Sequence, residues 1–85
     1  MNWTVIVADE ARKNLARFPA KDQAKIAIAL LKMGQNPFSG DVVKLEGEQQ
    51  RWRRRVGSYR IFFAVDKVSR VAAVSAILRR TSTTY

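Results

Sequence analysis

Neither cysteine nor histidine occurs among the 85 residues. Their absence removes disulfides, thiol nucleophiles, the usual structural zinc sites and the side chain that most often moves protons near neutral pH. Whatever chemistry exists must use other groups, and no metal or cofactor is expected. Long hydrophobic runs are also missing: hydrophobic residues make up 47% of the chain, yet no stretch approaches the ~18 consecutive apolar residues of a membrane span. The start, Met1-Asn2-Trp3-Thr4, has no basic segment leading into a long apolar one, so no export signal is expected and the cytoplasm is the expected compartment. Acidic residues are few, seven against sixteen basic ones, for a net charge of +9. Residues 1–43 hold six basic and four acidic side chains, and 44–85 hold ten and three, so the C-terminal half carries +7 of the excess. Nucleic acid, an acidic protein or another anionic surface is the partner such a balance favours.

The length allows one small domain, taken as 1–85. Trp3-Thr4-Val5-Ile6-Val7 is β-branched and aromatic and reads as a strand. It runs into a helix start with Asp9 as the expected N-cap. Ala11, Leu15 and Phe18 fall at helical spacing and predict a short amphipathic helix ending before Pro19. Ala20 to Met33 is rich in strong helix formers and is closed by Gly34 and Asn36-Pro37. Its apolar positions cover most of its girth, so this helix is expected to be well buried or partly covered by a partner. Phe38 to Asp41 reads as a loop, Val42 to Leu45 as a short edge strand, and residues 46–50 as a polar turn. Arg51 to Val56, Tyr59 to Asp66 and Val71 to Arg79, separated by Gly57-Ser58 and a loop around Lys67-Val68-Ser69, predict an antiparallel meander. The expected fold is α+β: an N-terminal strand, then two helices packed on one face of a small antiparallel sheet, in the order β-α-α-β-β-β.

A two-residue turn at Gly57-Ser58 sets a register in which Val56 faces Tyr59, Arg55 faces Arg60, Arg54 faces Ile61, Arg53 faces Phe62 and Trp52 faces Phe63. Alternation then gives Trp52, Val56, Tyr59, Ile61, Phe63 and Val65 one face, the natural core side, and gives Arg51, Arg53, Arg55 and Arg60 the other. Arg55 opposite Arg60 is a like-charge pair that destabilises a sheet, so stability alone does not ask for it. Guanidinium groups grip phosphate through paired N–H donors, and a phosphate chain is the natural guest of four arginines with no acid interleaved. The bland alternative is a charged outer face that keeps the sheet soluble. Strict alternation sends Arg54 inward, where it is expected to snorkel past the helix layer or pair with an acid. Whether Arg79 or Arg80 joins the basic face depends on the preceding loop length, which the residues leave open. Tyr85 closes the chain as a frayed end or as a base-stacking aromatic.

Over nearly its whole length the chain resembles the RelE/ParE toxin superfamily, the toxic halves of type II toxin–antitoxin pairs. The resemblance is carried by Trp3-Thr4-Val5 followed by Ala11 and Leu15, by Asn36-Pro37, by Lys44-Leu45-Glu46-Gly47, by Trp52-Arg53-Arg54-Arg55-Val56-Gly57-Ser58-Tyr59-Arg60-Ile61, and by Arg79-Arg80 to Tyr85. The set is more similar to the RelE branch, whose members cut messenger RNA in the ribosomal A site. That resemblance implies a metal-independent endoribonuclease that arrests translation and growth. It places Arg53, Arg55, Arg60, Arg79 and Tyr85 at catalytic positions and Lys44, Arg51 and Arg80 at RNA-binding ones. In such enzymes the 2′-hydroxyl attacks the adjacent phosphate, giving a 2′,3′-cyclic phosphate and a 5′-hydroxyl. The basic residues stabilise the pentacovalent charge, the late arginine protonates the leaving group, and the tyrosine stacks on the base.

The best-known members carry lysines where this chain has Arg53 and Arg55. Arginine keeps its proton, so stabilisation of developing charge survives the change whereas a general-base role for Arg55 does not. The alternative the resemblance implies is a ParE-like toxin that inhibits DNA gyrase without catalysis; a third reading is a basic domain that only binds. The implied partners are an acidic, RelB-like antitoxin whose flexible segment folds over the toxin, the ribosome and its messenger, and operator DNA through the antitoxin complex, with no membrane.

Overall fold

The computed structural model describes residues 2–45 and 51–79. Along Tyr59–Asp66 (β4), Tyr59, Ile61, Phe63 and Val65 are buried while Arg60, Phe62 and Ala64 are half-buried. Successive side chains of a strand point to opposite faces, and β4 thereby gives the sheet one sealed and one open side. Arg51–Val56 (β3) and Val71–Arg79 (β5) flank β4 antiparallel, as the meander predicted. Val42–Lys44 (β2) pairs antiparallel with β3 at one edge, and Thr4–Val7 (β1) pairs parallel with β5 at the other, giving the order β1-β5-β4-β3-β2. The sheet is therefore mixed, with five strands. A parallel neighbour needs a long crossover, and the two helices with the strands after them supply it. The expected polar turn at 46–50, Arg80 and Tyr85 lie outside the described residues.

Asp9–Ala16 (α1) and Ala20–Met33 (α2) cover the sealed face. The N-cap of α1 is Ala8 and not Asp9, with no side-chain cap bond. The Ala8 N–H is held by the Val74 carbonyl at 2.9 Å, which ties the helix start to β5 and leaves Asp9 and Glu10 in the first turn, where the helix dipole favours negative charge. Ile26, Ala29 and Met33 of α2 close on Ile61, Phe63, Val74 and Ile77 to form the core. The helix buries one stripe only: Ile28 and Leu31 remain 54% and 75% exposed.

One core contact was hidden from the helical periodicity. Asn14 is buried with Ala11 in α1, and its Oδ1 accepts the Ile77 N–H at 3.0 Å. The register of β4 against β5 shifts between Phe62 and Phe63, leaving Ser75 unpaired in the ladder. Such a bulge disrupts ladder bonding locally; Asn14 serves the backbone two residues beyond it.

Candidate nucleic-acid interface

The hairpin adopts the register expected from its turn, Val56 to Tyr59 through Trp52 to Phe63. Gly57 sits at φ 58 in the first turn position, where II′ hairpins place glycine because only it reaches that region without strain. Arg51, Arg53, Arg55 and Arg60 consequently share the open face, with Arg51 and Arg55 exposed and Arg53 and Arg60 half-buried. Arg55 and Arg60 are direct cross-strand partners. Phe62 also lies on this face, opposite Arg53 on one side and Ala76 on the other, with Ala64 and Ala73 paired beyond it. An aromatic ring thus sits among arginines on a floor of small residues. The Arg53 Nε is buried and has no hydrogen-bond acceptor among the described residues.

Arg54 takes the opposite direction and is 7% exposed. Among the described residues its partner is neither solvent nor an acid, in place of both expectations: the guanidinium donates to the Ser39 carbonyl and hydroxyl. Burial lowers its pKa from the ordinary arginine value, and a carbonyl acceptor within reach meets part of the desolvation. Gly40 is shaped for this contact. Its φ is +85, and a Cβ there would meet the Arg54 Nη2 at 2.9 Å. The loop so gripped leads into Asp41, whose carbonyl accepts the Arg55 N–H at 2.9 Å. The Asp41 carboxylate lies 4.0 Å from the Arg55 Nε, both side chains about half exposed. The arginine face therefore has an acid at its edge, which the hairpin alone did not disclose.

Two candidates stand elsewhere. Arg79 is paired with Tyr59, while Leu78 is the partner of Arg60. Paired residues share a face, so Arg79 lies on the helix side, where it lines a cleft with Lys21, Asp22, Lys25 and Tyr59. The Tyr59 hydroxyl donates to Asp22 Oδ2 at 2.7 Å, and this bond, reinforced by burial, raises the phenol pKa. Lys44 is paired with Trp52 and places its ammonium 5.9 Å from that ring's centroid; it belongs to the sealed side, and Val43 takes the position beside Arg53. The physical reason is the same in both cases, since alternation along a strand allots faces whatever the charge. Phe62 was legible from that alternation as a neighbour of Arg60; Asp41 was not, because its proximity depends on how β2 pairs with β3.

This arrangement offers an anion several guanidinium donors around an aromatic ring, the combination that holds a nucleotide by phosphate and base. Among the described residues no three of His, Cys, Asp and Glu cluster so as to hold a metal ion, and no helix there is long and apolar enough to cross a membrane.

No protein-family model matches the chain, and no curated protein does. Solved structures do. The RelBE2 toxin–antitoxin complex of Mycobacterium tuberculosis matches with a TM-score of 0.84 at 20% identity, over 94% of this chain and 100% of that one. The RelE–RelB complex of Pyrococcus horikoshii matches with 0.84 at 23%, over 98% and 100%. The isolated RelE toxin of E. coli matches with 0.81 at 14%, over 95% and 87%. At such identities what is shared is architecture: the chain has the fold of the RelE toxins.

Proposed function

We propose that this protein is the toxin of a type II toxin–antitoxin pair, an endoribonuclease that cuts messenger RNA in the ribosomal A site and so halts translation. The observation that carries the reading is the open sheet face, which Arg51, Arg53, Arg55 and Arg60 share with Phe62 on a RelE-like fold. The chemistry is metal-independent attack of a 2′-hydroxyl on the adjacent phosphate. Arg53, Arg55 and Arg60 stabilise the charge that builds on the phosphorane oxygens, a role worth roughly 10²–10³ in rate for a single well-placed donor. Arg51 holds a flanking phosphate, and Phe62, with Tyr85 and Arg80 from the end of the chain, contacts the bases and backbone. Arg79 and Lys44 stand apart from the reacting group on the helix side and serve the ribosome-facing surface.

Such a toxin needs a partner to restrain it. Ile28 and Leu31 leave an apolar strip on α2, and the net charge of +9 favours an acidic amphipathic antitoxin segment over it. Operator DNA is reached through that antitoxin, and the site of action is the ribosome in the cytoplasm.

The test is primer extension on a messenger in a translating extract, with the protein and with Arg60→Ala, in the presence and absence of ribosomes. Ribosome-dependent cuts within codons that vanish in the variant support the reading. Intact messenger with unimpaired translation overturns it. A second reading, a gyrase inhibitor of the ParE kind, is favoured by the separation of Arg79 from Arg60; inhibition of DNA supercoiling by the purified protein distinguishes it.

A further inference from the structure

A nuclease of this kind must take a proton from the attacking hydroxyl, and the open face is built from arginines, whose guanidinium groups keep their protons. No histidine exists in the chain to do it. We infer that the Asp41 carboxylate is the general base of the site, delivered there by the inward-pointing Arg54. The inference rests on the nuclease reading above and deepens it.

Three observations converge on Asp41. Its side chain is 4.0 Å from the Arg55 Nε and 56% exposed, so one oxygen edge can face Arg55 while the other meets a substrate. Its backbone accepts the Arg55 N–H, which continues the β2–β3 register one step past Val42–Arg54. Asp41, Arg55 and Arg60 then form one cross-strand row on the open face, a carboxylate followed by two guanidiniums. Finally, the loop before it is gripped from the other side of the sheet, by Arg54 on the Ser39 carbonyl and against the backbone of Gly40. Three consecutive arginines thus divide the work: Arg53 and Arg55 meet the anion, and Arg54 holds the loop that brings the base.

The step balances without a co-reactant. The 2′-hydroxyl proton passes to the Asp41 carboxylate as the O2′–P bond forms; the P–O5′ bond breaks and the departing 5′-oxygen takes a proton from water. Asp41 returns its proton to solvent. A base in this position contributes about 10²–10⁴ in rate. Among the described residues, the charged groups that share the open face with Asp41 include Arg55, Arg53 and Arg51 from β3 and Arg60 beyond them on β4, and as arginines they do not supply a competing base.

The experiment measures single-turnover cleavage of messenger on programmed ribosomes between pH 6 and 9, for the wild type, Asp41→Asn and Asp41→Glu. Binding is measured in parallel with a 2′-O-methyl messenger that cannot be cut. The expected result for Asp41→Asn is cleavage slowed about 100-fold or more with binding undiminished, since a negative charge beside the arginines has gone. Its residual rate should climb about tenfold per pH unit as hydroxide takes over the proton, while Asp41→Glu recovers part of the loss. Cleavage by Asp41→Asn within twofold of wild type, or a loss that runs parallel to wild type at every pH, overturns the assignment, the latter making Asp41 only an anchor for Arg55. A wild-type protein that leaves the messenger intact at every pH instead overturns the nuclease reading itself.

Discussion

Arg53, Arg54 and Arg55 are consecutive, chemically identical and opposite in fate. The outer two lie on the open face, the exposed Arg55 across from Arg60 and the half-buried Arg53 across from Phe62, whereas the middle one is 7% exposed and spends its donors on Ser39. What separates them is one step of strand alternation. A buried guanidinium is tolerated only where acceptors meet it, so Arg54 is part of the architecture and is expected to matter for stability. An arginine placed opposite another arginine works against the sheet, so Arg55 and Arg60 are expected to matter for function. The two faces of one strand thus read as two different selective demands.

The largest expected effect tests the open face. Arg60→Ala should lower messenger cleavage by about 10²–10³ through the loss of one charge-stabilising donor. The same change removes the like-charge pairing with Arg55, so the loss of cleavage should far exceed any change in the thermal midpoint. A protein that melts markedly lower would show that Arg60 belongs to the structure, and the comparison between faces would collapse.

On the sealed side the prediction inverts. Arg54→Met keeps an unbranched chain but leaves the part-buried Ser39 carbonyl without its donor, and urea unfolding should register a loss of about 1–3 kcal/mol, the cost of leaving such a group unsatisfied. Gly40→Ala should act in the same direction, because the new Cβ meets the Arg54 guanidinium and the backbone is held at φ +85. Unchanged stability in Arg54→Met would mean that the inward arginine is as dispensable to the fold as its neighbours. Next in size is Asn14→Ala, which orphans the Ile77 N–H and should cost about 1–2 kcal/mol, with cleavage intact because Asn14 touches only the helix side.

Much of this contrast is legible in the residues themselves. Val71–Arg79, Tyr59–Asp66, Arg51–Val56 and Ala20–Met33 carry local patterns strong enough to give their bounds, and Gly57-Ser58 fixes a register that then assigns each arginine to a face. Contacts between segments distant in sequence are another matter. Nothing local says that β1 lies parallel to β5, that Ser39 receives Arg54, that Asn14 reaches Ile77, or that Asp41 stands beside Arg55. The placement of Arg79 is instructive for the same reason. Its face follows from the register of β5 against β4, and a bulge between Phe62 and Phe63 shifts that register by one. A residue counted along the chain therefore cannot be assigned to a face past the bulge until the bulge is seen.

The smallest expected effect lies away from both faces, at the β4–β5 turn, and calibrates the others. The Asp66 carboxylate accepts the Val68 and Ser69 N–H groups at 3.0 and 3.2 Å, and these bonds, Ser69 foremost, lower its pKa. A carboxyl whose folded value is depressed adds stability that is fully present above its unfolded value, about 3.9, and is lost as pH falls through the folded value below it. Asp66→Asn removes the charge while keeping an oxygen for the turn. Its thermal midpoint should therefore sit slightly below wild type at pH 7 and converge with it at acid pH, with no change in cleavage. The two proteins differ at this residue alone, so the difference between the two melting curves isolates Asp66. A gap that persists undiminished at low pH would mean that the amide disturbs the turn by its shape, and that the charge on this carboxylate contributes nothing to holding β4 against β5.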